Sequence, residues 1–409
     1  MGRSAVLIFK RTTDREVDLN SSPSVLAWLS IVPVSMTGCI TEAVTVSAPA
    51  TEFALVTAGT GHACGLTTGG VIACWSVADP RPVVVADAVP FSSTSTATFH
   101  TCGIATDGTA FCWGQNTYGQ LGTLADAETC GGFPCTTIPI RVHTDLLFTT
   151  LEVGGLHTCG LDTDGFAHCW GSNSFGQLGA ISDFVCFAGS TDGGLPCSPE
   201  PLPVAGGLTF TALSVGAIHA CGLTASGQVY CWGSGAFGRL GNGDVETSVV
   251  PVEVAGNLAF RQISAGGAHS CGITTSEDVY CWGSNSELQL GSIANNRLQP
   301  CGRLPDRCVL EPVLVKTDLR FQTVTAAVGG HTCGVTTDGA VYCWGLNEYG
   351  ELLLPNKLRS AEPVRIPVEG EFTQISGGSF NTCGITTEFA AVCWPDLSPL
   401  ANWVVPADR

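Results

Sequence analysis

The fold is decided by the stretch His100-Thr101-Cys102-Gly103-Ile104-Ala105-Thr106-Asp107-Gly108-Thr109-Ala110-Phe111-Cys112-Trp113-Gly114, versions of which recur seven times in the chain of 409 residues. Every copy has two cysteines ten residues apart, and a tryptophan follows the second cysteine. A histidine stands two residues before the first cysteine, except in the last copy, which has Asn381. A repeat of this kind predicts an array of similar structural units.

Each copy is typical of a β-hairpin, because two apolar arms flank a turn that reads Thr-Asp-Gly in three copies. Counting back from Asp107 sets Cys102 opposite Cys112, at a site where Cα atoms lie about 4.5 Å apart, within the range that a disulfide spans. The fifth and seventh copies lack Gly at this turn (275–277 and 387–389), so we expect their turns to differ. We predict seven hairpin disulfides: Cys64–Cys74, Cys102–Cys112, Cys159–Cys169, Cys221–Cys231, Cys271–Cys281, Cys333–Cys343 and Cys383–Cys393.

The composition favours an exported all-β protein. Charged residues make up 13% of the chain, Gly numbers 51, and long helix-forming runs are scarce, which together indicate short strands joined by turns. The net charge of −18, with no Lys/Arg stripe to reverse it, disfavours nucleic acid and anionic membrane surfaces as partners. Twenty-one cysteines, most of them opposed in hairpins, indicate an oxidising compartment.

The beginning of the chain suggests the route of export. An apolar segment at 25–36 is too short to span a membrane but suits the hydrophobic region of a signal peptide. It ends in Thr37-Gly38-Cys39, which resembles the lipobox of bacterial lipoproteins. The resemblance implies a signal peptide at 1–38, lipidation of Cys39, and a tether at 39–52 that holds the protein at the bacterial cell envelope by lipid alone. An ordinary signal followed by an incidental cysteine, giving a secreted protein, is the alternative.

Three further elements recur around the hairpins. A Phe precedes the His or Asn by nine or ten residues, an apolar stretch headed by Pro lies upstream, and a glycine-rich tail follows the Trp, as in Gly114-Gln115-Asn116-Thr117-Tyr118-Gly119-Gln120-Leu121-Gly122. With these elements the chain resembles the regulator of chromosome condensation repeat family over roughly residues 53 to 394. The resemblance implies an all-β fold, a seven-bladed β-propeller of four-stranded antiparallel blades, which we place at 53–409. The first copy lacks the tail, and strands at 43–46 or 403–405 are candidates for closing the ring.

Three long intervals between repeats contain additional cysteines. Successive first cysteines are 38, 57, 62, 50, 62 and 50 residues apart. We predict that the extra pairs close loop insertions on one face of the disc, and that a partner binds there because loops carry the recognition of a propeller. The pairs are Cys130 with Cys135, Cys186 with Cys197 and Cys301 with Cys308. The side chains best suited to anchor a partner are Phe133, Phe184, Phe187, Arg303 and Arg307.

The Gly-x-Ser-x-Gly, His-Glu-x-x-His and P-loop motifs are absent from the sequence. The resembled family has a structural histidine at the repeated position, and opposed cysteines without a fourth ligand argue against zinc, so we expect neither metal nor cofactor. We interpret the repeated tryptophans as packing between blades. The sequence therefore favours a monomeric, non-enzymatic, exported scaffold that binds a protein or polysaccharide. The alternative is a propeller lyase or hydrolase with acid and base residues near the axis.

Overall fold

The computed structural model describes residues 51–76, 81–86, 89–124, 128–130, 132–186, 194–291, 298–301 and 307–395. Within them the chain forms seven antiparallel sheets, and each sheet contains one copy of the hairpin repeat. The prediction of an all-β, seven-bladed propeller is confirmed. The predicted signal peptide, Cys39 and the candidate closing strands lie outside the described residues.

The first three strands of each blade are consecutive in sequence and adjacent in the sheet. The first strand begins at the recurring Phe in six blades and lines a central channel: Phe53–Ala58, Phe91–Thr96, Phe148–Val153, Ala212–Val215, Phe260–Ala265, Phe321–Ala326 and Phe372–Gly377. The second strands are His62–Thr67, His100–Ala105, His157–Asp162, His219–Leu223, His269–Thr274, His331–Thr336 and Thr382–Thr386. The third strands are Ile72–Ser76, Ala110–Gln115, Ala167–Ser172, Val229–Gly233, Val279–Ser284, Val341–Leu346 and Ala391–Trp394.

The outer part of the blades departs from the uniform four strands that the sequence suggested. Six blades have a fourth strand: Val83–Ala86, Phe133–Arg141, Leu195–Pro203, Ser248–Glu253, Arg307–Leu314 and Arg359–Arg365. Blades 2, 3 and 5 add a short fifth strand, because the insertion folds back on the fourth strand: Glu128–Cys130, Val185–Cys186 and Gln299–Pro300. Blade 7 has three strands within the described residues.

Helical structure is sparse in the described part of the chain, where one 3-10 turn spans Ala236–Gly238. No helix among the described residues has the length and apolar character needed to cross a membrane.

The hairpin turns are alike in all the blades, contrary to our expectation for the fifth and seventh copies. In blade 2 the Ala105 N–H donates to Thr109 O at 2.9 Å, and Gly108 takes a φ of 88°. In blade 5 the Thr274 N–H donates to Asp278 O at the same distance, and Glu277 takes a φ of 67°. Phe389 does so in blade 7, with a φ of 61°. The pairing of the strands thus imposes the left-handed conformation even where no Gly is present.

The hydrophobic core lies in the seams between successive blades. In the seam between blades 3 and 4, the disulfide Cys159–Cys169 packs with Phe210 and Trp232 of the next blade. The Trp ring lies beside the Phe ring of its own blade, with centroids 5.9 Å apart. Equivalent clusters recur around the ring. The repeated tryptophans therefore pack between blades, and the disulfides form part of the core.

Blade 7 closes the ring directly against blade 1. Val56 N–H donates to Gln374 Oε1 at 3.0 Å, and Gln374 Nε2 donates back to Val56 O at 2.9 Å. Ala58 N–H donates to Ser376 Oγ at 3.0 Å. Phe53 and Trp75 of blade 1 share a buried cluster with Cys383 and neighbouring residues of blade 7. The last seam thus has the same kind of core as the others.

Candidate docking face

The three insertions lie at one end of the disc, which we call the insert face. In blade 3 the last residue of the third strand, Ser172, pairs with Cys197 in the fourth strand, and the insertion precedes that pair. Blade 2 has the same arrangement at Gln115 and Cys135, and blade 5 at Ser284 and Cys308. The hairpin turns lie at the opposite end, which we call the hairpin face.

Each insertion is tied to the blade by a disulfide. The second cysteine of each pair is buried within the fourth strand, at 1% exposure for Cys135 and 0% for Cys197 and Cys308. Its partner lies on or beside the short fifth strand, with Cα atoms 5.8 or 5.9 Å apart. The structure therefore contains all ten predicted disulfides, seven in hairpins and three in insertions.

The predicted anchor residues are exposed where the structure describes them. Phe133 begins the fourth strand of blade 2 and is 44% exposed, and Phe184 precedes the fifth strand of blade 3 and is 51% exposed. Arg307 begins the fourth strand of blade 5 and is also exposed. Phe187 and Arg303 lie outside the described residues. The described members share the insert face but belong to three different blades.

Sequence reasoning missed a second set of aromatic residues on the insert face. The glycine-rich tails expose Phe175 and Tyr349, and the loops before the second strands expose Phe99 and Phe380. The Tyr349 and Phe380 rings meet across the seam between blades 6 and 7, with centroids 4.7 Å apart. The signal was available, since an aromatic recurs four residues after the tail's first Gly in four copies. Exposed aromatic side chains are suited to anchor a partner.

Each tail is locked into a loop by its own side chains. In blade 3, Asn173 Oδ1 accepts from Leu178 N–H at 3.1 Å, and Gln177 Oε1 accepts from Phe175 N–H at 2.8 Å. The lock buries Leu178 completely. The backbone oxygen of Gln177 then accepts from Trp232 Nε1 of the next blade at 3.1 Å. The tail of one blade thus fills the seam that leads to the next.

The repeated histidines are part of the same seams. Thr158 Oγ1 donates its one proton to Gln120 O at 3.0 Å, so at its 2.7 Å contact with His100 Nε2 it must accept a hydrogen from the ring. This fixes the Nε2–H tautomer. The pairs His219–Ser270, His269–Thr332 and His331–Thr382 repeat the contact at 2.8 to 2.9 Å.

The buried histidines are neutral at ordinary pH. Burial lowers the pKa of His100 and His269 to about 3, with smaller contributions from neighbouring histidines and, for His269, from Arg239. Burial alone lowers the pKa of His157 to about 3 and that of His331 to about 4. His100, His269 and His331 donate to the next blade, whereas His157 has no hydrogen-bond partner in the described structure. No group of three or more potential metal-binding side chains occurs among the described residues.

The central channel is lined by one equivalent side chain from each blade: Thr57, Ser95, Glu152, Ser214, Ser264, Thr325 and Ser376. Four of the hydroxyls accept a backbone N–H from the following blade, as Ser214 Oγ does from Ala265 at 2.8 Å. Ser95 Oγ also accepts, from Val153, and donates to Glu152 Oε2 at 3.3 Å. Cavities of about 120 Å³ and 360 Å³ adjoin this ring.

Glu152 is the one ionisable residue among those that line the two cavities in the described structure. Desolvation raises its pKa to about 7, against the opposing hydrogen bond from Ser95. Acid and base catalysis by two groups would require a second titratable side chain within reach, and the described lining supplies none. On the hairpin face, His168 Nε2 and Asp162 Oδ2 lie 2.8 Å apart, a pair that the sequence reasoning did not identify. A second His–carboxylate pair, His143 Nδ1 and Glu200 Oε1 at 3.1 Å, is exposed to solvent.

Comparison with known proteins agrees with this geometry. A family model described as the regulator of chromosome condensation (RCC1) repeat matches residues 226–273, and a second RCC1 model matches residues 98–120, 148–177, 210–239, 260–289 and 325–351. The chain belongs to the RCC1 repeat family. The matched segments span the hairpins and tails of five consecutive blades, so the resemblance inferred from the sequence is confirmed.

Several known proteins are similar to this one in sequence. The ultraviolet-B receptor UVR8 of Arabidopsis thaliana is 25% identical over 349 residues, which are 81% of this chain and 74% of UVR8. The probable E3 ubiquitin-protein ligase HERC4 of Homo sapiens is 31% identical over 116 residues, but these are only 10% of HERC4.

Solved structures show the same fold. Yeast RCC1 (Prp20), crystallised bound to Kap60, superposes with a TM-score of 0.66 at 20% identity, covering 80% of this chain and 78% of Prp20. The ectodomain of the Arabidopsis thaliana receptor kinase ACR4 gives a TM-score of 0.52 at 18% identity, covering 86% and 98% of the two chains.

Proposed function

We propose that this RCC1-repeat propeller is a non-enzymatic scaffold that acts outside the cytoplasm, tethered by lipid at Cys39, and binds a protein or polysaccharide through its insert face. The observation that carries the proposal is the joint placement of the three disulfide-tied insertions and the exposed aromatics at one end of the disc. Ten disulfides support an oxidising compartment.

A protein partner is the better supported of the two ligand classes. UVR8 is named a receptor, and yeast RCC1 (Prp20) crystallised in a complex with Kap60. Aromatic side chains such as Phe133, Phe175 and Phe184 supply apolar area for few rotatable bonds, as the anchors of protein interfaces commonly do. The net charge of −18 continues to disfavour nucleic acid.

The enzyme alternative has less support. Glu152 in the channel has no second titratable residue beside it in the described lining. On the hairpin face, the Asp162 carboxylate that faces His168 also accepts from the backbone N–H groups of Asp164 and Phe166. Among the described residues no hydroxyl or thiol is hydrogen-bonded to His168. This pair therefore stabilises the hairpin turn, which is a structural role.

Removing the insertions tests the insert face. We shorten all three to the length of the blade 4 connection and put Thr, as at position 247, at the three buried cysteine positions. The tails and seams are retained, and closure entropy changes only logarithmically with loop length. We therefore expect thermal unfolding within a few degrees of the parent, with loss of partner capture from an extracellular extract.

The matched control changes exposed aromatics on the hairpin face instead. Phe166→Ser and Phe389→Ser remove side chains of similar exposure, 41% and 48%, from the opposite end. This variant should capture the same partner as the parent. If the shortened protein keeps its partner and the control loses it, the binding site is on the hairpin face.

Lipid tethering is tested separately. Cys39→Ser should move the protein from the membrane fraction to the soluble fraction, because two or more acyl chains give a stable anchor. Unchanged membrane retention of the variant would contradict lipidation at this residue.

A further inference from the structure

The seam between blades 1 and 2 lacks the glycine-rich tail that fills the five seams after blades 2 to 6. In the seams that follow blades 2 to 6, a buried leucine of the tail enters the core: Leu121, Leu178, Leu240, Leu290 and Leu352, all 0% exposed. Blade 1 has no such tail in sequence, because Trp75 is followed by Ser76-Val77-Ala78-Asp79-Pro80 and the fourth strand begins at Val83. This seam has no Gly-Gln-Leu-Gly segment to fill it.

An apolar groove occupies the position of the missing tail. It has a volume of about 550 Å³, within the range of ligand sites, and is lined by Val83–Val85 of blade 1 and by Phe99, Trp113 and Thr136–Ile138 of blade 2. Val83 is 66% exposed and Ile138 is 63% exposed. Cys130 and Cys135 of the first insertion border it.

The walls of the groove are those that hold a tail elsewhere. The tail glycines Gly119, Gly176 and Gly238 lie against the fourth strand of the next blade, at Pro199, Val249 and Leu310. Strand pairing places Thr137 at the equivalent position in blade 2, because Thr136 pairs with Gly114 as Ser198 pairs with Gly171. The groove therefore has the walls of a tail-binding site, but the preceding blade supplies no glycine-rich tail to bind there.

Two polar groups that bind the tail in other seams have no tail oxygen as partner in this one. In four of the five seams that hold a tail, the Trp232, Trp282, Trp344 and Trp394 indoles each donate Nε1–H to a tail oxygen at 2.9 to 3.1 Å. In the fifth, Trp170 Nε1 has no partner in the described structure. Trp113 Nε1 has no such acceptor among the described residues, and Trp113 is 7% exposed where those four are fully buried. The Thr101 hydroxyl accepts from Thr96 Oγ1 at 3.0 Å, and where a tail oxygen accepts in other seams its proton faces the disulfide sulfur Cys64 Sγ at 3.7 Å.

We propose that this groove, lined by Val83–Val85, Phe99, Trp113 and Thr136–Ile138, is a docking site for a peptide segment of a partner protein. The segment presents a leucine between small residues to Trp113 and a backbone oxygen to Trp113 Nε1 and Thr101 Oγ1. The chemistry is that of the tails themselves, which bind equivalent walls in five seams of this molecule. Most of the walls are blade strands, and the Cys130–Cys135 disulfide of the first insertion borders the groove.

The partner is a separate protein rather than a second copy of this chain. The five tails of a copy are locked by their own Asn and Gln or Glu side chains, or in blade 4 by Arg239, and their leucines are buried in its own seams. A partner must therefore present an unlocked segment, for which a flexible loop or chain end is suitable.

The experiment uses the full chain and a synthetic peptide with the sequence of residues 114–123, in which photo-leucine replaces Leu121. We expect saturable binding by fluorescence anisotropy of the labelled peptide, and crosslinks confined to Trp113 and Thr136–Ile138. A peptide with Asp in place of Leu121 should bind at least tenfold more weakly. Absence of saturable binding, or crosslinks spread over the surface, would overturn the proposal.

Three variants locate the site. Ile138→Glu puts a charge at the rim of the groove and should weaken peptide binding at least tenfold. Val250→Glu is its matched control, because Val250 is the equivalent residue in a seam that already holds a tail, and it should leave binding unchanged. A third variant carries residues 114–123 between Ser76 and Val83, and its own tail should compete with the peptide and abolish binding. Equal binding by all three variants would refute docking in this groove.

Discussion

Ala220→Ser is expected to stabilise the propeller by supplying a hydrogen bond that one seam lacks. Four histidines donate to a hydroxyl on the next blade, but His157 meets Ala220, and neither ring nitrogen of His157 has a partner in the described structure. His157 is nevertheless fully buried. An unsatisfied buried donor costs about 1 to 3 kcal/mol, and a hydroxyl at position 220 would give His157 the missing acceptor.

The size of the expected stabilisation can be estimated from the seam between blades 4 and 5. Ser270 Oγ accepts from His219 Nε2 at 2.9 Å and donates to Arg239 O at 3.0 Å. A serine at 220 would have His157 Nε2–H and Gln177 O as the same two partners. Allowing for the burial and ordering of one hydroxyl, we expect a gain of about 1 to 2 kcal/mol in the free energy of unfolding.

Guanidinium unfolding of the unreduced protein, followed by tryptophan fluorescence, measures the change. The midpoint should rise without a change in the slope of the transition. Ser270→Ala is the matched control and should cost about 1 to 3 kcal/mol, because it leaves His219 unpaired. If Ala220→Ser is neutral while Ser270→Ala destabilises, His157 already has a partner, such as a bound water, and the reasoning is wrong.

Three further outcomes are expected from unfolding measurements. Glu277→Gly should stabilise the protein by about 0.5 to 1 kcal/mol, because Gly adopts the left-handed backbone conformation of this position without strain, at some cost in chain entropy. Gly227→Ala, at the equivalent turn of blade 4, should destabilise the protein. Glu152→Ser should stabilise the protein at pH 8 but hardly at pH 4.5, because a carboxyl whose pKa is raised to about 7 on folding loses stability as pH rises from its unfolded value of 4.5 towards 7. The buried histidines lower stability as the pH falls, because their side chains bind protons below pH 6.5 in the unfolded chain and only near pH 3 to 4 in the folded one. Each should lower the free energy of unfolding by about 1.4 kcal/mol at pH 5.5. His157→Gln should remove one such contribution from the pH dependence of stability.

Features that depend on near neighbours in sequence were predictable. The hairpin, its three-residue loop and the opposition of Cys102 and Cys112 follow from spacing alone, and the structure gives a Cα–Cα distance of 4.0 Å for that pair. The turns at Glu277 and Phe389 were not predicted correctly. Local preference disfavours these residues at positive φ, but the register fixed by the strand pairing and the buried seam overrides it.

Features that depend on the next blade were harder to predict. The contact between His100 and Thr158 spans 58 residues, and only the seam brings the two together. A signal existed, since Ser or Thr follows the histidine position in five copies and Ala follows it at 63 and 220. The groove beside Trp113 was likewise implied by the missing tail of blade 1. The sequence alone could not show that the surrounding walls keep the shape of a tail site.

The position of the hairpin disulfides constrains when they form. In blades 2 to 6 both cysteines of every hairpin are 0% exposed, and they pack against the Phe and Trp of the following blade. Thiol–disulfide exchange requires access of a thiolate to the sulfur, and a closed seam denies that access. The bonds must therefore form while the blades are still apart. Because folding closes the seams, the chain has to meet an oxidising environment before its propeller closes, which favours export of the unfolded chain over export of the folded one.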